Sequence, residues 1–291
     1  MLEVKNLSFS FTDKCVLNDV SFSVPKGQVL GIVGINGAGK TTLLRLLSGV
    51  YLPQAGSISL DGESPTDPDT RRRIFFLPDD PFFSGATTPN SLFEMYSVLY
   101  EGVDRAVFDS LLSEYSIPAD GAVRNFSKGM RRQTFIALAL AISPEYLFLD
   151  EAFDGLDPLS KRIFRDAIER FVRVRGTTVL ISSHSLKELE SLADSFILID
   201  SNRVRTEGDI EKKGLHKYAL AFTETPTREL FDGLDVVSIC IRARFVDITL
   251  HGDGEKLYSA LTALGPAVID ELAPDFEDTF ITDVKGGNPN A

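Results

Sequence analysis

The sequence predicts an α/β chain: a domain of mostly parallel strands over residues 1–213, then a smaller α+β domain over 214–291. Three observations predict it. Short apolar runs alternate with helical patterns through the first domain, a glycine-rich turn joins one such run to one such helix, and the texture changes after Lys217. Taken in order, Val29-Leu30-Gly31-Ile32-Val33 reads as a buried strand. Thr41–Ser48 reads as a helix that carries Leu43, Leu44, Leu46 and Leu47 and stops at Gly49. Ile74–Leu77 is a second strand, closed by Pro78-Asp79-Asp80-Pro81. Ser91–Tyr100 and Asp104–Tyr115 are helical, the latter with Val107, Leu111, Leu112 and Tyr115 on one face. Ser127 caps a helix over Lys128–Ala141. Tyr146–Leu149 and Thr178–Ile181 are two more central strands, each ending in polar residues, and Phe196–Ile199 and Arg203-Val204 close the domain. Beyond them come strand Tyr218–Phe222, helix Thr227–Leu234, a strand pair Val236–Ile241 and Phe245–Leu250, helix Glu255–Leu264 and strand Val268–Leu272. That βαββαβ order is ferredoxin-like, with the domain boundary near Glu211–Gly214. No internal repeat is present, so the chain carries one copy of whatever its first domain does.

Composition narrows the partners. The apolar share of 43% suffices for packed cores and excludes a disordered or collagen-like chain. Thirty basic against 42 acidic residues leave a net charge of −12, which argues against nucleic acid or anionic lipid as the main partner. The balance is uneven: Leu215 to Ala291 alone carry 6 basic and 13 acidic residues. Cys15 and Cys240 lack zinc-ligand spacing and are too few for a disulfide framework, which fits a reducing cytoplasm. The N-terminal residues have no apolar core of a signal peptide. No apolar stretch reaches the ~18 residues of a membrane helix, so the expected chain is soluble by itself.

Chemistry concentrates in one loop. Gly34-Ile35-Asn36-Gly37-Ala38-Gly39-Lys40-Thr41 fits G-x-x-x-x-G-K-[ST] between a predicted strand and a predicted helix. Glycines let backbone N–H groups turn inward around β- and γ-phosphates, and the helix N-terminus adds positive potential. Lys40 would reach the β/γ oxygens and the Thr41 hydroxyl would bind Mg²⁺, with Thr42 beside them. A second phosphate-site element belongs at the C-terminal end of a neighbouring parallel strand. Leu149-Asp150-Glu151 supplies it: Asp150 to hold Mg²⁺ through its water shell, Glu151 to polarise the attacking water.

On these residues the chain resembles the nucleotide-binding subunit of an ABC transporter. Phe126-Ser127-Lys128-Gly129-Met130 is similar to that family's signature motif and precedes the Asp150-Glu151 strand, as it does there. Gly155-Leu156-Asp157 resembles its D-loop, His184 its switch histidine, and Phe11 falls where an aromatic stacks on adenine. The likeness spans residues 1 to 210 and implies a P-loop NTPase fold, with a helical subdomain near 82–143, that hydrolyses ATP with Mg²⁺. It implies that two copies, or this chain and a similar ATPase subunit, pack head-to-tail, so that Ser127 and Gly129 of one face ATP held by Lys40 of the other. Separate integral permease subunits would receive the stroke, through a groove bordered by Asp79–Phe83 and the Ser91–Tyr115 helices, at the inner face of the cell membrane. Each residue also has a plain reading: Ser127 as a helix cap, His184 as an ordinary surface or core histidine, Phe11 as core, since Phe9 and Phe22 nearby follow a strand-like alternation. Phe82-Phe83 either docks a partner helix or enters the domain's own core, and Arg71-Arg72-Arg73 and Arg131-Arg132 read as solvated faces.

The chain departs from the family pattern at three places. Asp79 stands where a glutamine is usual, still able to touch Mg²⁺ or its water; Phe126, Lys128 and Met130 surround the retained Ser127 and Gly129; Ala152-Phe153 replaces a Pro-Thr/Ser pair. The Ser-Lys-Gly-Met-Arg variant resembles subunits paired with export permeases. Among rivals, a ribosome-directed ATPase would want two such domains and basic linkers, a DNA-repair relative a long coiled coil, and a GTP switch an Asn-Lys-x-Asp guanine reader. None is here. A soluble ATPase or regulatory subunit uncoupled from transport remains the alternative.

Overall fold

Alternating burial carries the chain first through two strands of which the sequence pattern hinted only at the alternation around Phe9 and Phe22. In β1 (Leu2–Phe11), Leu2, Val4, Leu7 and Phe9 are buried, and the alternation slips by one residue at Asn6, whose φ of 49° marks a bulge against β2 (Lys14–Val24). Next come β3 (Val29–Val33), wholly buried, α1 (Lys40–Leu47), and β4 (Ala55–Leu60), which returns beside β1 to complete an antiparallel sheet of order β2-β1-β4. The computed structural model describes residues 1–189, 192–206 and 215–272, and the chain divides into two units, Met1–Glu207 and Gly208–Ala291.

Side-chain caps set the helix starts that follow. Asp67 caps α2 (Pro68–Arg72), which leads into β5 (Ile74–Leu77). Thr88 and Ser91 cap α3 (Pro89–Leu99) reciprocally, and Asp104 caps α4 (Arg105–Glu114). A 3-10 turn at Val123–Asn125 precedes α5 (Lys128–Ile142), capped by Ser127. Then follow β6 (Tyr146–Leu149), α6 (Pro158–Arg175) under an Asp157 cap, β7 (Thr178–Ser183), α7 (Leu186–Leu189), β8 (Ser195–Asp200) and β9 (Arg203–Thr206). Five strands run parallel in the order β5-β6-β7-β3-β8, and β9 adds an antiparallel edge. Leu43, Leu44, Leu46 and Leu47 of α1 pack in one apolar cluster with Leu2, Leu7 and Leu17 of the antiparallel sheet and Ile32, Phe148 and Leu180 of the parallel one. The glycine turn before α1 is thereby anchored on both sides. No helix among the described residues is long and apolar enough to cross a membrane.

Arg73 is not the solvated residue that its Arg71-Arg72-Arg73 run suggests. It is 24% exposed and binds Glu145 at the start of β6 (2.8 Å), Glu63 (3.1 Å) and Asp61 after β4. Asp61 also pairs with Lys26 (2.8 Å) and the terminal ammonium (2.5 Å), so one charge network fastens both sheets at the end away from the glycine turn. Desolvation pushes the Asp61 carboxyl up, but Lys26, the terminal ammonium and Arg73 outweigh it and hold it well below the usual carboxylate range. A carboxyl depressed on folding stabilises fully above its unfolded pKa and loses that contribution as pH falls through the folded value. Asp61→Asn is therefore expected to cost about 1 kcal/mol, or about 2–4 °C in Tm, at pH 7. The difference from wild type should shrink below about pH 4, read by thermal unfolding across pH. Equal melting temperatures at pH 7 would remove the network from the stability argument.

The second unit is a four-stranded antiparallel sheet. It comprises β10 (Leu215–Ala221), β11 (Val236–Arg242), β12 (Phe245–His251), α8 (Gly254–Ala263) and β13 (Val268–Leu272), with strand order β11-β12-β10-β13. That is a ferredoxin-like sheet whose first helix is reduced: the helix expected over Thr227–Leu234 is only a 3-10 turn, Arg228–Phe231. Asp232-Gly233 stops it, Gly233 taking a φ of 94°. Tyr218, Leu220, Phe231, Val246, Ile248, Leu257 and Leu261 form its core. The boundary expected at Glu211–Gly214 lies outside the described residues.

Candidate functional site

Strand β3 delivers the glycine loop to the C-terminal edge of the parallel sheet. Gly39, at the start of α1, has a φ of 112°, a conformation that an L side chain resists, and it turns the loop back onto the helix axis. The first turn of α1 presents backbone N–H groups without helical partners, a ready anion cradle. Lys40 is only 5% exposed, and its ammonium donates to Gly34 O (2.6 Å) and Ile35 O (3.3 Å) while pairing with Glu151 Oε1 (3.1 Å).

Strand register brings the other groups to the same edge. Leu77 sits opposite Leu149, Leu149 opposite Ile181, and Val33 opposite Ser183, so the residues just beyond each strand converge. Buried Asp150 accepts from the hydroxyls of Thr41 (2.7 Å) and Ser182 (2.7 Å). Glu151 holds a φ of 46°, unusual for a residue with a side chain; its N–H donates to Ser182 Oγ (2.9 Å) and its carbonyl accepts from Arg132 (3.0 Å). The Glu151 carboxylate accepts from His184 N (3.2 Å) and lies 3.1 Å from His184 Nδ1. Burial works to raise the Glu151 carboxyl, but the Lys40 ammonium and then His184 outweigh it and hold it below its ordinary value. It is ionised at neutral pH, as a proton acceptor must be.

Of these groups, Lys40, Thr41, Glu151 and His184 border a cleft of about 530 Å³. It brings together Phe11, Asn36, Gly37, Gly39, Lys40, Thr41, Thr42, Asp79, Glu151 and His184, along with Asp154, Cys15 and Asn202. Phe11 is exposed, meeting Phe9 (5.0 Å) and Tyr51 (5.7 Å) edge-on, rather than buried in a core strand. Gly34, Ile35 and Ala38 shape the loop without lining the cleft: two through their carbonyls on Lys40, the third by packing on the core. Ser127 and Gly129 do not line it either. Ser127 Oγ accepts from Met130 N (3.1 Å), and Gly129 lies so near the segment after Glu151 that a Cβ there would stand 2.7 Å from Gly155 O.

Asp79 faces two ways. It lines the cleft, yet its Oδ1 accepts from Arg132 (2.7 Å) and lies 3.9 Å from Lys128 Nζ. Arg132, expected on a solvated face, is 2% exposed, and Arg131 is bound to Phe126 O (3.0 Å) and Arg124 O (2.9 Å). Arg132, Ser182, Asp154 and Asn202 are the site residues that sequence reasoning missed; Arg132 was discoverable as the last charge before the long uncharged run Gln133–Ile142.

Hydroxyl and carboxylate oxygens at Thr41 and Asp150 suit a hard cation such as Mg²⁺. Glu151, Asp154 and His184 also cluster, their ligand atoms within 4.8 Å of one another, but Lys40 already answers the Glu151 charge. An anion cradle, oxygen groups that suit a hard cation and an ionised carboxylate at one sheet edge can bind a triphosphate and activate water against it.

The comparisons agree with this chemistry. Residues 17–154 match the family described as "ABC transporter". The ABC transporter ATP-binding protein YtrB of Bacillus subtilis is 28% identical over 289 residues, covering 98% of this chain and 99% of that protein, so the matched region extends through the second unit. The lantibiotic transport ATP-binding protein SrtF of Streptococcus pyogenes is 32% identical over 213 residues, 72% of this chain and 92% of SrtF. A solved structure of the ATP-binding subunit of an ABC transporter superposes with a TM-score of 0.66 at 31% identity, covering 72% of this chain and 91% of that one. The chain belongs to the ATP-binding proteins of ABC transporters, and its activity is the hydrolysis of ATP.

Proposed function

We propose that this chain is the motor of an export-type ABC transporter, acting as a head-to-tail pair beneath separate membrane permeases. One observation carries the paired reading: Ser127 and Gly129 stand off the chain's own cleft, at the helix N-terminus where they can serve a second copy's nucleotide. In this reading Phe11 stacks on the adenine, residues 34–42 cradle the phosphates, and Lys40 turns from Glu151 to the β/γ oxygens. Mg²⁺ held by Thr41 and Asp150 would neutralise phosphate charge. Glu151 takes the proton of the attacking water, and His184, held against Glu151, contacts the γ-phosphoryl group. Closing an open side of that group from a second copy is worth ~10³–10⁵ in rate when the donor is an arginine finger, which sets the scale. Export is the direction favoured by the Ser-Lys-Gly-Met-Arg form of the signature.

The permease face follows from exposed apolar side chains. Phe82 and Phe83 diverge: Phe83 packs against Phe135 (6.5 Å) under Arg131 (5.4 Å), whereas Phe82 is 93% exposed. On α3, Met95, Val98 and Leu99 are also exposed, Val98 at 85%. Apolar residues so placed suit a helix end reaching down from a membrane protein. Phe82→Glu with Val98→Glu is expected to abolish co-purification of the chain with membranes while its own ATPase rate is unchanged. Undiminished membrane association would reject this docking face.

A further inference from the structure

We propose that Arg132 is a positioning residue that binds the helix carrying Ser127 and Gly129 to the floor of the ATP site, and that the Asp79–Arg132 pair couples the two. The proposal rests on the hydrolytic activity and on the role given above to the start of α5.

Geometry carries it. Each terminal nitrogen of Arg132 bridges the same two strand exits. Nη1 donates to Pro78 O (2.9 Å) after β5 and Asp150 O (3.3 Å) after β6; Nη2 donates to Asp79 Oδ1 (2.7 Å) and Glu151 O (3.0 Å). A planar guanidinium can fan across four acceptors in this way; an ammonium cannot. The bond to Glu151 O braces the residue with the left-handed backbone, a strained conformation that persists only where neighbours hold it. Arg132 therefore sets the position of the hydrolytic carboxylate without touching substrate.

Asp79 completes the arrangement. A cation as buried as Arg132 needs an opposing charge, and among the described residues Asp79 is the carboxylate in salt-bridge contact with it. The glutamine usual at this position would offer no charge. Burial lowers the Arg132 pKa, while Asp79, Asp154 and Asp150 act in the opposite direction. Lys128, one helical turn before Arg132, lies 3.9 Å from the same Asp79 Oδ1. A carboxylate on the cleft wall thus ends on two cations of the signature helix, so charge arriving in the cleft alters its hold on that helix.

The test compares Arg132→Lys, Asp79→Asn and the double variant in the full chain, by steady-state ATPase assay and binding of a fluorescent ATP analogue. Arg132→Lys and Asp79→Asn are each expected to lower kcat about tenfold or more, while KM and analogue affinity stay within about threefold. The double variant should be no slower than the worse single one, because both break the same link. Wild-type kcat in either single variant, or losses that multiply in the double, overturns the proposal, as does a loss matched by the unfolded fraction in thermal melts. Should Arg132→Lys fail to fold, Asp79→Asn alone decides: normal kcat overturns, reduced kcat with unchanged KM supports. Failure of the ATP-site assignment itself reads out separately, as full activity in Lys40→Ala.

Discussion

Replacing Glu151 with glutamine is expected to slow ATP turnover by about 10²–10⁴-fold while leaving ATP bound. The substitution keeps the shape of the side chain and removes the charge that Lys40 and His184 now hold ionised. Without a proton acceptor the attacking water is not activated, and with Lys40 released from its ion pair the phosphates gain its full attention. Since hydrolysis is what would separate the paired chains, the variant should accumulate as an ATP-dependent dimer in size-exclusion chromatography. A turnover rate near wild type would reject Glu151 as the base. A slow variant that stays monomeric at saturating ATP would reject the paired mechanism and spare the base assignment.

Lys40→Ala should weaken ATP binding by at least about 100-fold, on the scale of two charge-assisted hydrogen bonds at about 1.5–3 kcal/mol each. The effect has a second origin. Lys40 is the nearly buried cation beside Glu151, and its loss leaves His184 as that carboxylate's ion-pair partner among the described residues. Titration calorimetry with ATP checks the first effect and thermal unfolding of the nucleotide-free chain the second. Micromolar affinity in the variant would remove the glycine loop from the argument.

Much of this site was legible because it is local in sequence. A loop from Gly34 to Thr41 declares its geometry through glycines, and the Asp150-Glu151 pair needs only a strand before it. The central strands were equally readable, since strands covered on both faces show as unbroken apolar runs. The β2-β1-β4 sheet was not, because bulges at Asn6 and Asp19 shift the alternation that would betray a half-buried strand. Arg132 escaped for a different reason. Its four acceptors come from two segments, near residues 78 and 150, and an arginine beside another arginine looks like a solvated pair until those segments meet it. Ser182 is a similar case: a serine ending an apolar run is ordinary, and only strand register puts it against Asp150. The Thr227–Leu234 helix failed because Asp232-Gly233 cuts it to one turn.

Backbone meets backbone where Gly129 lies against Gly155, with no side chain between them to absorb slack. That seam leaves no room for a side chain at 129, since a Cβ there would stand 2.7 Å from Gly155 O, so a larger residue would push the helix end off the stretch behind Glu151. In the paired reading proposed above, a shift carrying the serine hydroxyl toward a second copy would press on the hydrolytic loop through this contact, tying engagement to resetting.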